Sequence, residues 1–154
     1  MGTASGSSCV PRSFHKKSQE FPEDLFPLQA LTGTIIAAAF EVFRVFGFGF
    51  LESVYRRALV VELRHRGVPV DEKVFYPLSH RGKSVGVYEA DVIADKRVIV
   101  EVKTGVTHDP NAPTQLLNYL SAAKLDLGLI VHFGPRGARV KRMIASAVRA
   151  SVAE

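Results

Sequence analysis

The sequence predicts an α/β fold, a central mixed sheet flanked by helices in the order α-α-β-β-β-α-β-β. Three observations predict it. Apolar residues recur at helical spacing over 28–67 and again over 113–125. Between 74 and 105 they alternate or cluster in short segments broken by turn signals, and 127–134 has the composition of a buried strand. With 154 residues, 47% of them apolar, the chain is long enough for one domain with a core of its own.

Each element has a local reason. In "LQALTGTIIAAAFEVFRVFG", residues Leu31, Ile35, Ala38, Ala39, Val42, Phe43 and Phe46 form one helical stripe, and Gly47 is a natural stop. The phenylalanines Phe40, Phe43, Phe46, Phe48 and Phe50 read as core, with Phe48 and Phe50 flanking a glycine turn. "GFLESVYRRALVVELRHRG" is a second helix with the stripe Leu51, Val54, Tyr55, Ala58, Leu59 and Leu63, ended by Gly67. "VFYPLSHRGKSVGVYEADVIADKRVIVEVKTG" reads as three antiparallel strands turning at "HRGK" and "ADKR". "PTQLLNYLSAAKL" is a third helix, with Pro113 in its first turn and Asn111 as its cap. "LGLIVHFG" is a fourth strand, and "ARVKRMI" is a short last strand or the start of a C-terminal helix.

Residues 1–27 mix Gly, Ser, Pro and scattered charge without an apolar period, and read as a flexible arm ahead of a single domain at 28–154. The first nineteen are basic and free of acid, which suits a transit peptide, but they carry neither an amphipathic repeat nor a secretory core, so the arm reading is preferred. No uninterrupted apolar run has the length of a membrane span, so no membrane partner is expected. The single cysteine, Cys9, excludes a disulfide framework and suits a reducing compartment, the cytoplasm. The histidines His15, His65, His80, His108 and His132 have no paired metal spacing. His132 reads as a hydrogen-bonded core residue, and His108 lies in a loop after the charged strand.

The net charge is +5, unevenly spread. From Phe133 to Ala153 there is no acid, but there are Arg136, Arg139, Lys141, Arg142 and Arg149, and the second helix adds Arg56, Arg57, Arg64 and Arg66. Such clusters attract polyanions, although a solvated surface has the same composition.

The third strand carries Glu101 and Lys103 on one face, because side chains alternate. Asp91, on the second strand, joins them only if the hairpin pairs odd with odd positions. A three-residue loop at Asp95-Lys96-Arg97 sets Asp91 opposite Glu101, and a two-residue loop separates them. If they meet, two carboxylates resist joint ionisation and a divalent cation relieves the conflict. Mg²⁺, or Mn²⁺, takes hard oxygen ligands and few protein carboxylates, so it suits the pair. A buried lysine–carboxylate network accounts for the same residues without a metal. Glu52 lies in the first turn of the second helix, where an acid also stabilises the helix dipole. Gln115 and Tyr119 lie one turn apart on the third helix. Glu89 shares the parity of Asp91 and either adds charge to the site or pairs with an arginine.

The set G-x-x-E-x-x-Y (Gly49, Glu52, Tyr55), D…E-x-K (Asp91, Glu101, Lys103) and Q-x-x-x-Y (Gln115, Tyr119) resembles the GxxExxY family, a branch of the PD-(D/E)XK nuclease superfamily. The resemblance covers roughly residues 29–144. It implies a restriction-endonuclease-like α-β-β-β-α-β core of the exonuclease-type branch, and metal-dependent hydrolysis of phosphodiester bonds. It further implies that Asp91 and Glu101 bind Mg²⁺ or Mn²⁺ with the Val102 carbonyl as third ligand. Lys103 is implied beside the attacking water, Glu52 at a bound water or second ion, Gln115 anchoring the site, and Tyr119 near a backbone phosphate. Tyr55 is assigned to packing. The proline that precedes the aspartate elsewhere in the superfamily is Ala90 here.

The sequence therefore points to a metal-dependent nuclease acting on nucleic acid, DNA rather than RNA, with Arg136, Arg139, Lys141, Arg142 and the Arg-rich helix holding the phosphate backbone. A catalytically silent module of the same fold, binding nucleic acid or a protein partner, is the alternative. The small size leaves room for a homo-oligomer or a protein partner that supplies specificity.

Overall fold

Gly47, with φ of 65°, ends the first helix where the apolar stripe ends, α1 (Phe26–Phe46). The computed structural model describes residues 26–145. The expected arm therefore lies outside the described residues, with Cys9 and His15, except for Phe26 and Pro27, which open α1; Arg149 lies outside them too. The second helix, α2 (Glu52–His65), follows after a tight link. Then come β1 (Val70–His80), β2 (Lys83–Ala94), β3 (Val98–Thr104), α3 (Ala112–Ala123), β4 (Leu127–Gly134) and β5 (Gly137–Ile144). The expected order holds throughout, and the last segment is a strand.

The five strands lie in the order β1-β2-β3-β4-β5. All neighbours are antiparallel except β3 and β4, which are parallel because α3 carries the chain back across one face. The fold is α/β: a mixed sheet with α1 and α2 on one face and α3 on the other, as in restriction-endonuclease-like proteins. One core layer packs Ile35, Val42, Leu59 and Leu63 on Val100, Val102, Leu129 and Val131. The other packs Leu116 and Leu120 on Tyr88, Ile99 and Ile130. Every residue of β4 is buried, as its composition requires of a strand covered on both faces. Gly128 of β4 is fixed by this packing, since a Cβ there would meet the Leu116 side chain at 2.9 Å.

Several expectations are corrected. Phe40, Phe46, Phe48 and Phe50 are exposed rather than core: the buried stripe of α1 is filled by Ile35, Ala38, Ala39 and Val42, and Phe48 and Phe50 lie in the link beyond its end. Leu51 is 75% exposed. It occupies the extended N-cap of α2 (φ −63°, ψ 149°), so its side chain leaves the helical stripe. Asn111 takes the N-cap position of α3, but its side chain makes no capping bond; its backbone N–H goes instead to Asp109 Oδ1. The segment Leu28–Phe46 is long and apolar enough to cross a bilayer by length and composition. Its two charges, Glu41 and Arg44, lie three residues apart and pair with each other. Here the apolar stripe of the helix seals the core.

Candidate active site

The link between α1 and α2 is pinned by one side chain. Tyr55 is fully buried, its ring stacks on Phe133 (4.4 Å), and its hydroxyl donates to the Gly47 carbonyl (2.6 Å) while accepting the Phe50 N–H (3.4 Å). This agrees with its assignment to packing. It also explains why the tyrosine stands three residues after Glu52: it fixes the turn from which Glu52 starts. Tyr55→Phe leaves the Gly47 carbonyl without that donor, and is expected to cost about 1–2 kcal/mol, read as a lower melting temperature.

The hairpin parity is settled by the β2–β3 loop. Asp95 and Lys96 both adopt left-handed backbone (φ 50° and 54°), closing a three-residue loop in which Ala94 pairs with Val98 and Val92 with Val100. One step further, that register sets Asp91 across from Glu101. Ladder pairing between the two strands stops at Val92↔Val100, and the Asp91 carboxylate substitutes for it by accepting the Val102 N–H (3.1 Å). The strands part there, and a cavity of about 410 Å³ opens. Glu52, Asp91, Glu101, Lys103, Gln115 and Tyr119 all line it. Residues distant in the chain are thus brought together from α2, β2, β3 and α3.

The electrostatics show what this convergence costs. Burial pushes the Glu101 carboxyl up to about 7; Asp91 adds to the shift, while the Tyr88 hydrogen bond and Lys103 oppose it. Burial likewise raises Glu52, with Lys103 opposing and Asp91 adding. Acids pushed together in a half-buried pocket hold protons they would otherwise release.

Tyr88 was missed by sequence reasoning. It lines the cavity, its hydroxyl donates to Glu101 Oε1, and its ring lies between Tyr119 (3.6 Å) and Tyr76 (6.1 Å). Tyr119, expected near a backbone phosphate, therefore stacks on the residue that holds Glu101. Glu89 lines the same cavity and pairs with Lys73 (3.9 Å), not with an arginine.

The basic residues divide. Arg139 and Lys141 line the neighbouring cavity, and Arg136 one beyond it. Arg142 does not join them: it pairs across from Leu129, which packs toward α1 and α2, so alternation turns it to the opposite face. Arg64 of α2 donates to the Val70 carbonyl and lies near Glu72, and Arg66, the cap just past its end, pairs with Glu62. Half of the expected arginine helix is thus committed to intrachain partners. His132 is the buried, hydrogen-bonded histidine that was expected, with Nε2 2.8 Å from the Gly105 carbonyl.

Among the described residues, no three His, Cys, Asp or Glu side chains converge as a ready-made metal cage. The donor set nevertheless fits a hard cation. It offers two facing carboxylates, no thiolate, and surplus negative charge held in check by protonation.

A family model described as the PD-(D/E)XK nuclease superfamily matches residues 29–143. No curated protein matches the chain. Among solved structures the chain is similar to the crystal structure of SSO0001, at 21% identity and a TM-score of 0.48, over 65% of this chain and 55% of that one. The chain thus spans about half the length of that protein.

Proposed function

The chain belongs to the PD-(D/E)XK nuclease superfamily, and from that premise we propose that it is a divalent-metal-dependent nuclease of the GxxExxY branch, hydrolysing phosphodiester bonds in DNA rather than RNA. One observation supports the reading above all: Asp91 and Glu101 face one cavity with Lys103 and Glu52 beside them.

In this reading Asp91, Glu101 and the Val102 carbonyl hold Mg²⁺ or Mn²⁺. When bound, such an ion polarises a phosphoryl oxygen and lowers the pKa of a water. The chain's own residues do the rest. Lys103 orients the attacking water and offsets negative charge as it gathers on the phosphorus oxygens. Glu52, fixed by the Tyr55-pinned turn, accepts a hydrogen bond from water in the cavity. Tyr88 fixes Glu101 by its hydroxyl, and Tyr119 fixes Tyr88 by stacking. Gln115 forms the α3 wall. Arg139 and Lys141 of β5 and Arg136 of its preceding turn hold the phosphate backbone, which makes binding salt-sensitive and weakly selective for sequence. The working compartment is the cytoplasm.

The test is incubation with single- and double-stranded DNA and RNA, with Mg²⁺, with Mn²⁺ and with chelator. Cleavage is expected only with metal, and is expected to fall by about 10²–10³-fold in Lys103→Ala, the scale of one lost transition-state donor. Undiminished cleavage in chelator would contradict the proposal. Tight binding with no cleavage in either metal would favour the catalytically silent module.

A further inference from the structure

Beside the acidic cavity lies a second of about 400 Å³, and the two share Lys103 and Ala112. Its chemistry is opposite. Lys103, His108, Arg139 and Lys141 line it against one acid, Asp109. That carboxylate is turned onto its own loop, accepting the Asn111 N–H at 2.9 Å.

The topology builds this. Parallel pairing of β3 with β4 sets Lys103 beside His132, and antiparallel pairing of β4 with β5 sets His132 beside Arg139. A basic row therefore crosses three strands on the face that carries Glu101. The His108 ring lies on His132 with centroids 4.0 Å apart. Among the described residues, Arg139 and Lys141 enter no salt bridge with an acid, whereas Lys103 is shared with the Glu52 and Glu101 carboxylates of the adjoining cavity. The crowding acts on His108, whose imidazole is held below its ordinary range chiefly by His132, with Arg139 adding.

We propose that this basic cavity is a subsite for a terminal phosphomonoester of a nucleic-acid strand, so that the protein selects phosphate-ended strands. The proposal rests on the nuclease reading for its choice of nucleic acid. The charge balance favours an end over an internal phosphate. A diester carries one negative charge and would leave one of the two unpaired cations, Arg139 or Lys141, uncompensated. A monoester carries about 1.5–2 negative charges near neutral pH and three terminal oxygens that an Arg fork and a lysine can share.

The experiment uses the full chain carrying Asp91→Asn, and otherwise identical single-stranded oligonucleotides with a 5′-phosphate, a 3′-phosphate, or hydroxyls at both ends. Affinities are read by fluorescence anisotropy. One phosphorylated end is expected to bind about tenfold or more tighter than the hydroxyl-ended strand, the scale of charge-assisted Arg contacts. The two phosphorylated strands distinguish which end is held. Adding Arg139→Ala or His108→Ala should bring the ratio toward one, whereas Arg142→Ala, equal in charge lost but on the opposite face, should preserve it. Equal affinity for all three strands, or a preference that survives Arg139→Ala, would overturn the proposal. End preference in a protein whose native form cleaves nothing would support the subsite and sink the nuclease reading; cleavage without end preference would do the reverse.

Discussion

Asp91→Asn is expected to reduce metal-dependent cleavage by about 10³-fold or more while leaving the protein folded. The substitution keeps a side-chain oxygen that can accept the Val102 N–H, so the link bridging the parted strands survives. It removes the charge. A hard cation binds by charge and oxygen geometry together, and losing one anionic ligand forfeits several kcal/mol of transition-state stabilisation, where about 4 kcal/mol corresponds to roughly 10³ in rate. Stability moves the other way. Asp91 is one of the groups pushing the Glu101 carboxyl up. Removing its charge relieves that repulsion, so the melting temperature of the metal-free protein should hold or rise near neutral pH. Cleavage assays and thermal melts on one preparation check both halves. Cleavage by the variant within tenfold of the native rate would remove Asp91 from the chemistry.

The second large effect is on pH. Glu101 is raised from 4.5 to about 7, first by burial. An ion binding there must displace its proton, so the apparent Mn²⁺ affinity should climb about tenfold per pH unit up to about 7 and then level off. The sign for stability follows from the same shift. Between 4.5 and about 7 the folded chain keeps a proton that the unfolded chain has released. The stability this gives is therefore fully present below 4.5 and is lost as pH rises through about 7. Metal-free protein should melt at progressively lower temperature over that window, Glu101→Gln should flatten its share of the trend, and Mn²⁺ should raise the melting temperature more at pH 8 than at pH 6. Calorimetric titration at several pH values measures the first slope, and melts measure the rest. A metal affinity independent of pH between 5 and 7 would count against Glu101 as a ligand.

Much of this arrangement could be read from the residues, because the apolar periods of the helices and of β4 leave few other solutions. The parity of Asp91 could not. Both loop lengths fit "ADKR", and the decision fell to two non-glycine residues, Asp95 and Lys96, taking left-handed backbone. Tyr88 was hidden for a related reason. Strict alternation sets Tyr88 and Ala90 on the face of Val92 and Ala94, opposite Asp91 and Ile93. In the fold, Tyr88, Ala90 and Ile93 share the α3 side, while Val92 and Ala94 pack toward α1 and α2. The alternation breaks where β1–β2 pairing skips Lys73 and Asp91, with Lys73 at φ 50°. No signal in the chain marked that irregularity, which depends on the partner strand. Arg142 was different: its even position against Arg139 and Lys141 already set it apart. Counting the basic residues as one cluster ignored the period of the strand they occupy.

The central claim is that Asp91 and Glu101 jointly cage a hard divalent ion. Anomalous diffraction from crystals soaked in Mn²⁺ tests it most directly. The account predicts one strong peak between the Asp91 and Glu101 carboxylates, absent from Asp91→Asn crystals treated identically. Saturating Mn²⁺ with no peak there, in crystals of a protein that still cleaves nucleic acid, would contradict it.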